Sequence, residues 1–166
     1  MVSVIVAVDN KWGIGYNGEL LERIPEDLKN FKKLTRHNII VMGRKTWDSL
    51  PNKPLDERLN IVITSGEKSF DAFTAFISME EAKVRLSAAA HDHEDEWFII
   101  GGGQIYKELL QYADRVYVTK ILKDHDNVDT YFPNLDKSDE WKVSLCTELR
   151  EYNGIQYAFL TYDKIS

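Results

Sequence analysis

The feature that most limits the fold is Val2–Val8, which reads Val-Ser-Val-Ile-Val-Ala-Val. Almost every position is apolar and most are β-branched, so both faces of the extended chain need cover. Such a strand belongs inside a mainly parallel sheet with helices on both sides. Similar runs recur at residues 39–42, 59–64, 74–77, 97–100 and 116–121. Helical patterns lie between them. In residues 78–90, Ser78 and Glu81 suit a capping box, and Met79, Ala82, Leu86 and Ala89 repeat at helical spacing. Residues 105–113 present Ile105, Tyr106, Leu109, Leu110 and Ala113 as one apolar face. Residues 142–149 and 155–162 alternate apolar and polar around Tyr152-Asn153-Gly154, a hairpin signal. The expected fold is α/β: a central eight-stranded mixed, mostly parallel sheet, flanked by about four helices and closed by a C-terminal antiparallel hairpin. With 166 residues, the chain fits one domain, 1–166.

Charge narrows the partners. The chain carries 21 Lys and Arg against 27 Asp and Glu, a net charge of −6. That balance disfavours nucleic acid, whose binding rests on cations that neutralise phosphate, and disfavours an anionic membrane surface. The longest apolar run is far shorter than the roughly 20 residues of a membrane span. No secretory leader is expected, because Met1 leads straight into a strand-like run. Cys146 is the one cysteine, which suits a reducing cytoplasm. Small molecules are the expected partners.

Asp27 is the most informative residue. Pro25 suits the first position of a helix over residues 26–36. On a helical wheel, Ile24, Phe31 and Leu34 fall within about 60° of Asp27, with Leu28 just beyond and Lys29, Lys32 and Lys33 opposite. The carboxylate therefore sits within an apolar stripe. First-turn placement favours the anion by about 0.3–1 kcal/mol, whereas full burial disfavours it by up to about 3–5 pKa units. Burial is expected to win, leaving an acid that holds a proton near neutral pH. The alternative is a plain first-turn acid that complements the helix dipole.

Three glycine-bearing segments are candidate ligand sites. Met42-Gly43-Arg44-Lys45-Thr46-Trp47 joins a strand to a short helix, offering backbone N–H groups and two cations to a phosphate. Gly101-Gly102-Gly103 joins another strand to a helix and allows close backbone approach to an anion. Neither has the spacing of a P-loop or a G-x-G-x-x-G fingerprint. Trp12-Gly13-Ile14-Gly15, followed by Asn17-Gly18, reads either as a mobile loop able to act as a lid or as a plain surface turn. No metal site is expected. His91-Asp92-His93-Glu94-Asp95-Glu96 and Asp124-His125-Asp126 are read as solvated loops. Cys146 is read as a structural thiol, and Tyr152 and Tyr157 as strand residues.

In combination, these motifs resemble the bacterial dihydrofolate reductases over nearly the whole chain. The matching pieces, in order, are Gly13-Ile14-Gly15, Pro25-Glu26-Asp27-Leu28 with Phe31, Met42 to Trp47, Ile100-Gly101-Gly102-Gly103-Gln104-Ile105-Tyr106 and Asp129-Thr130-Tyr131-Phe132-Pro133. The resemblance implies NADPH-dependent reduction of 7,8-dihydrofolate to 5,6,7,8-tetrahydrofolate by a cytoplasmic monomer. It implies that Asp27 grips the pterin N3 and 2-amino group and promotes protonation of N5, with Thr119 in the same pocket and Tyr106 near the hydride path. Ile5, Val6, Ala7, Leu28, Phe31, Leu50, Leu55 and Ile100 would wall the rings, and Arg58 would pair with the substrate's α-carboxylate. Arg44, Lys45, Thr64 and Ser65 would hold the adenosine 2′-phosphate end. Gly43, Thr46 and the turn Gly101, Gly102, Gly103, Gln104 and Ile105 would take the pyrophosphate region. Ile14, Gly15 and Leu20 would close over the nicotinamide, bordered by Ala7 and Ile100. The family also places a cis peptide between the first two glycines of the triplet.

Two departures stand out. Leu21-Glu22 replaces the family's usual Pro-Trp pair, and Glu22 cannot play the indole's part in ordering water near the acid. Gln104 stands where an arginine often meets cofactor phosphate, which shifts that load to Arg44 and Lys45. The alternatives are a pyrimidine or pterin reductase of the same fold and a non-catalytic nucleotide-binding module. An acid on the apolar stripe argues against the second, which has no need of one.

Overall fold

The computed structural model describes residues 1–90, 92 and 94–165. His91 and His93, part of the His91 to Glu96 segment read above as a solvated loop, lie outside the described residues.

In chain order the elements are β1 (Val2–Val8), β2 (Gly13–Tyr16), β3 (Glu19–Leu20), α1 (Pro25–Thr35), β4 (Ile39–Gly43), α2 (Arg44–Ser49), β5 (Leu59–Ile63), β6 (Ser69–Phe70) and β7 (Thr74–Ile77). There follow α3 (Met79–Ala89), β8 (Trp97–Gly101), α4 (Gly103–Leu109), β9 (Arg115–Ile121), β10 (Thr130–Tyr131), β11 (Trp141–Cys146), β12 (Arg150–Tyr152) and β13 (Ile155–Lys164). The main sheet runs β11-β13-β9-β1-β8-β4-β5-β7-β6, with β12 added beside β13. Its centre, from β9 to β7, is parallel, and β13 pairs antiparallel to β9. Eight strands of four residues or more make up this sheet, with β6 and β12 as short edge additions.

β1 lies between β8 and β9, where its Val/Ile content finds cover on both faces. Val2, Val4, Val6 and Val8 enter one core with Leu86, Ile99, Leu109 and Val116. Ile5 packs on the other side of the sheet, against the cluster of Ile40, Met42, Val62 and Phe98. Burying each such side chain contributes about 1.5–3 kcal/mol.

Several expectations need local correction. Ser78 caps α3 by accepting from the Glu81 N–H at 3.1 Å, but the Glu81 side chain bonds Arg85 at 2.8 Å rather than completing a capping box. The helix expected over residues 105–113 starts at Gly103 and tightens into a 3-10 turn at Leu110–Tyr112. The C-terminal hairpin turns at Asn153 and Gly154, both with positive φ, and joins β12 to β13, while β11 pairs separately along β13. Cys146 is exposed on that edge strand and is no part of a core.

The expected glycine-rich lid loop is instead a built element. Asn17 and Gly18, at φ 52° and 80°, turn β2 back on β3, and β10 pairs on the other side of β2. Trp12 anchors it, buried against Phe132 and Tyr162. The three-strand pairing supplies backbone hydrogen bonds that glycine's low strand preference alone would not predict.

Candidate active site

The carboxyl ends of β1, β4, β5 and β8 lie along one edge of the parallel sheet, the usual place for ligand sites in open α/β sheets. α1 follows the β2–β3 hairpin, and its first turn carries Asp27. The Thr119 hydroxyl on β9 donates to Asp27 Oδ1 at 2.5 Å. Thr119 is itself buried, in register with Ala7 on β1 and Phe159 on β13. Burial raises the Asp27 carboxyl above the ordinary aspartate range, and the Thr119 bond offsets only part of that rise. Burial thus prevails in direction over the Thr119 bond, with Asp27 half-buried rather than enclosed.

The Tyr106 hydroxyl lies 2.7 Å from the Ile5 carbonyl and 2.9 Å from the Ile100 carbonyl, so its single proton is shared between β1 and β8. Burial, with the negative charge of Asp27, pushes its ionisation far above that of free tyrosine. Tyr106 is thus a neutral brace beneath the site, not a proton donor to a ligand. The same ring lies under Gly101, at φ 119°, where a Cβ would come within 3.1 Å of the Tyr106 hydroxyl. The Gly101–Gly102 peptide is cis.

Ile5, Leu50, Leu55 and Ile100 are partly buried and pack against the same apolar cluster of Ile40, Met42, Val62 and Phe98. Leu28 and Phe31 stand on the Asp27 face of α1, Leu28 half exposed. Val6 departs from expectation. Strand alternation turns it into the opposite core beside Ile105 and Tyr106, so its side chain does not wall the groove. Arg58 is buried and sits over the Phe31 ring, 5.9 Å from its centroid. Its Nε donates to the Asp56 carbonyl, Nη1 to Thr35 Oγ1 and Nη2 to Asp56 Oδ1. These bonds immobilise the guanidinium and leave one N–H on each Nη for a carboxylate.

A polar edge lies at the ends of β4, β5 and β8. Gly43 precedes α2 and Gly102 precedes α4, and neither helix has a side-chain cap. Thr46 Oγ1 is 3.5 Å from the Cβ position of Gly102, and Ile105 packs against Gly43. Arg44 and Lys45 are exposed, Arg44 pairing with Asp48 at 3.1 Å and lying over Phe76. Gly43 and Ile63 are in register, so buried Thr64 and exposed Ser65 leave β5 at the level where α2 begins. Uncapped N–H groups flanked by two cations fit a phosphorylated ligand. Gln104 is exposed with its amide 3.5 Å from Glu108. Ile14 lies 3.9 Å from the Cβ position of Gly103, and Gly15 pairs with Leu20, which is half exposed. The β2–β3 hairpin therefore adjoins the glycine turn.

A charged cluster of Asp9, Glu22, Lys123 and His125 at this hairpin was not foreseen. His125 is not a solvated loop residue: its ring is 11% exposed, with Nδ1 3.1 Å from Asp9 Oδ2 and Nε2 2.9 Å from Glu22 Oε1. Glu22 also takes Lys123 at 2.9 Å. The partners are 103 and 116 residues apart, so no local pattern could have shown the cluster. Among the described residues, no three His, Cys, Asp or Glu side chains converge to hold a metal, and no helix is long and apolar enough to cross a membrane.

Residues 1–164 match the family model described as "Dihydrofolate reductase". The chain is 39% identical to the dihydrofolate reductase of Bacillus subtilis (strain 168), an alignment covering 99% of this chain and 95% of that one. It is 38% identical to the Schistosoma mansoni dihydrofolate reductase, covering 98% and 95%, and 34% identical to that of Sus scrofa, covering 98% and 97%. Identity spread along the full length of such distant relatives places the chain in the dihydrofolate reductase family.

Proposed function

We propose that Asp27 and the groove beside it carry the family's reaction in this chain: NADPH-dependent reduction of 7,8-dihydrofolate to 5,6,7,8-tetrahydrofolate. The chain is an enzyme of that reaction; the inference concerns which of its atoms do the work. Asp27 bonds the N3 and 2-amino edge of the pterin and promotes protonation of N5. The carrying observation is its half-buried carboxyl, raised by burial and oriented by Thr119. NADPH, when bound, supplies the hydride that reaches pterin C6.

The remaining residues bind and orient. Ile5, Leu28, Phe31, Leu50, Leu55 and Ile100 flank the rings and exclude water, and Arg58 takes the substrate's α-carboxylate. Arg44, Lys45, Thr64 and Ser65 hold the 2′-phosphate end of NADPH, and Gly43, Thr46 and Gly101 to Ile105 take its pyrophosphate. The uncapped starts of α2 and α4 suit that group. Ala7, Ile14, Gly15 and Leu20 border the nicotinamide, while Tyr106 braces the two carbonyls beneath it. Positioning is worth up to roughly 7–11 kcal/mol of barrier, and general acid catalysis roughly 10²–10⁴-fold in rate, so geometry is the larger contribution.

The proposed setting is a cytoplasmic monomer acting as one domain over residues 1–166. The free, exposed thiol of Cys146 suits a reducing compartment. The test is consumption of NADPH, followed by its near-ultraviolet absorbance, on adding 7,8-dihydrofolate. The proposal requires rapid loss in the wild type and a deep deficit in Asp27→Asn; equal rates would remove Asp27 from the role.

A further inference from the structure

His125 joins three separate segments. Asp9, at the end of β1, is 1% exposed and accepts the Lys11 and Gly13 N–H groups on Oδ1 at 3.0 and 2.8 Å. Its Oδ2 faces the His125 backbone N–H at 3.3 Å and the ring Nδ1 at 3.1 Å. On the far side of the ring, Nε2 faces Glu22 Oε1 at 2.9 Å. Glu22 lies between Leu20 of the hairpin and Ile24, whose carbonyl receives the first bonds of α1 from Asp27 and Leu28.

Both carboxylates are anions at neutral pH. Burial raises Asp9, but bonds from Gly13, His125 and Lys11 outweigh it and hold it below the ordinary range. Burial likewise raises Glu22, and Lys123 and His125 outweigh it. A neutral imidazole has one N–H and one lone pair, so it can donate to one of these carboxylates but not both. A ring carrying a proton on both nitrogens would donate to both carboxylates at once. The other charged groups around the same opening are Glu19 on β3 and Lys123, Asp124 and Asp126 on the loop of His125 itself.

We infer that His125 is a positioning residue: its imidazolium clamps the segment between the hairpin and the Asp27 helix onto the end of β1, and loss of its proton loosens that segment and the hold on NADPH. The second clause rests on the proposed placement of Leu20 over the nicotinamide. Glu22→Gln provides a discriminating variant. Its amide accepts from the protonated ring and donates to the neutral one, so the clamp persists in both states while Nδ1–H serves Asp9.

The test is amide hydrogen exchange of residues 19–24 in the full chain, expressed as protection relative to the free peptide rate, between about pH 5.5 and about pH 8.5. The wild type should lose protection about tenfold as pH rises, the scale of one charged hydrogen bond. Glu22→Gln should stay protected throughout, and His125→Gln should be unprotected throughout. NADPH dissociation, measured on the same samples, should accelerate in step. Flat protection in the wild type, or a pH step that survives in Glu22→Gln, overturns the clamp. A step in exchange without one in NADPH release overturns the link to the cofactor. Turnover of dihydrofolate in the same samples reports separately on the reaction itself.

Discussion

The Thr119 hydroxyl reaches from β9 to Asp27 Oδ1 on α1 at 2.5 Å. That bond joins the sheet to the helix and gives the Asp27 carboxyl a fixed orientation. It also opposes burial, because a donated proton stabilises the carboxylate. The acid is therefore tuned by two contributions of opposite sign, and each can be removed by itself.

Thr119→Val removes the stabilising one. With burial unopposed, Asp27 should hold its proton to still higher pH, so the fall in turnover with rising pH should move upward. A pH profile of kcat/KM in both proteins checks the direction. A downward displacement would mean that Thr119 does not act as donor to Asp27.

Arg44 and Lys45 are exposed and adjacent at the start of α2. Replacing both by glutamine should weaken NADPH binding by at least about tenfold, the scale of one lost charged hydrogen bond. NADH, without the 2′-phosphate, should change less than about twofold. Dissociation constants for both cofactors decide the matter; equal losses would place the phosphate elsewhere.

Arg58 tests recognition at the other end of the groove. Its immobilised fork suits a carboxylate in a way that a lysine ammonium does not. Arg58→Lys should raise KM for dihydrofolate about tenfold with kcat little changed, the pattern of lost uniform binding. A pterin substrate without the glutamate should show no such penalty. Steady-state kinetics with the two substrates separates this effect from general damage to the groove.

Much of this fold is written in local patterns. The Val/Ile run of β1 demands cover on both faces, and β8 and β9 beside it with helices above and below provide that cover. Asp27 stands out because its wheel position conflicts with its charge, a conflict visible within one helix. Contacts between remote segments have no such signature. The Tyr106 hydroxyl meets a carbonyl 101 residues away, and His125 meets Asp9 across 116. Val6 and Ile5 differ in facing by one position of strand register, which composition does not distinguish. The segment around Asn17-Gly18 reads as a loop, because its pairing with β10 depends on where the later chain returns.

Single-turnover hydride transfer, followed against pH in the wild type and Asp27→Asn, tests the central claim most directly. Because the folded-state carboxyl is raised, Asp27 keeps its proton where an ordinary aspartate has lost it, and the wild-type rate should fall as pH climbs past that raised value. Asp27→Asn should be slower by roughly 10²–10⁴-fold in the region where the wild type is protonated, with that fall abolished. A variant that matches the wild type in rate and retains its pH dependence would contradict the account.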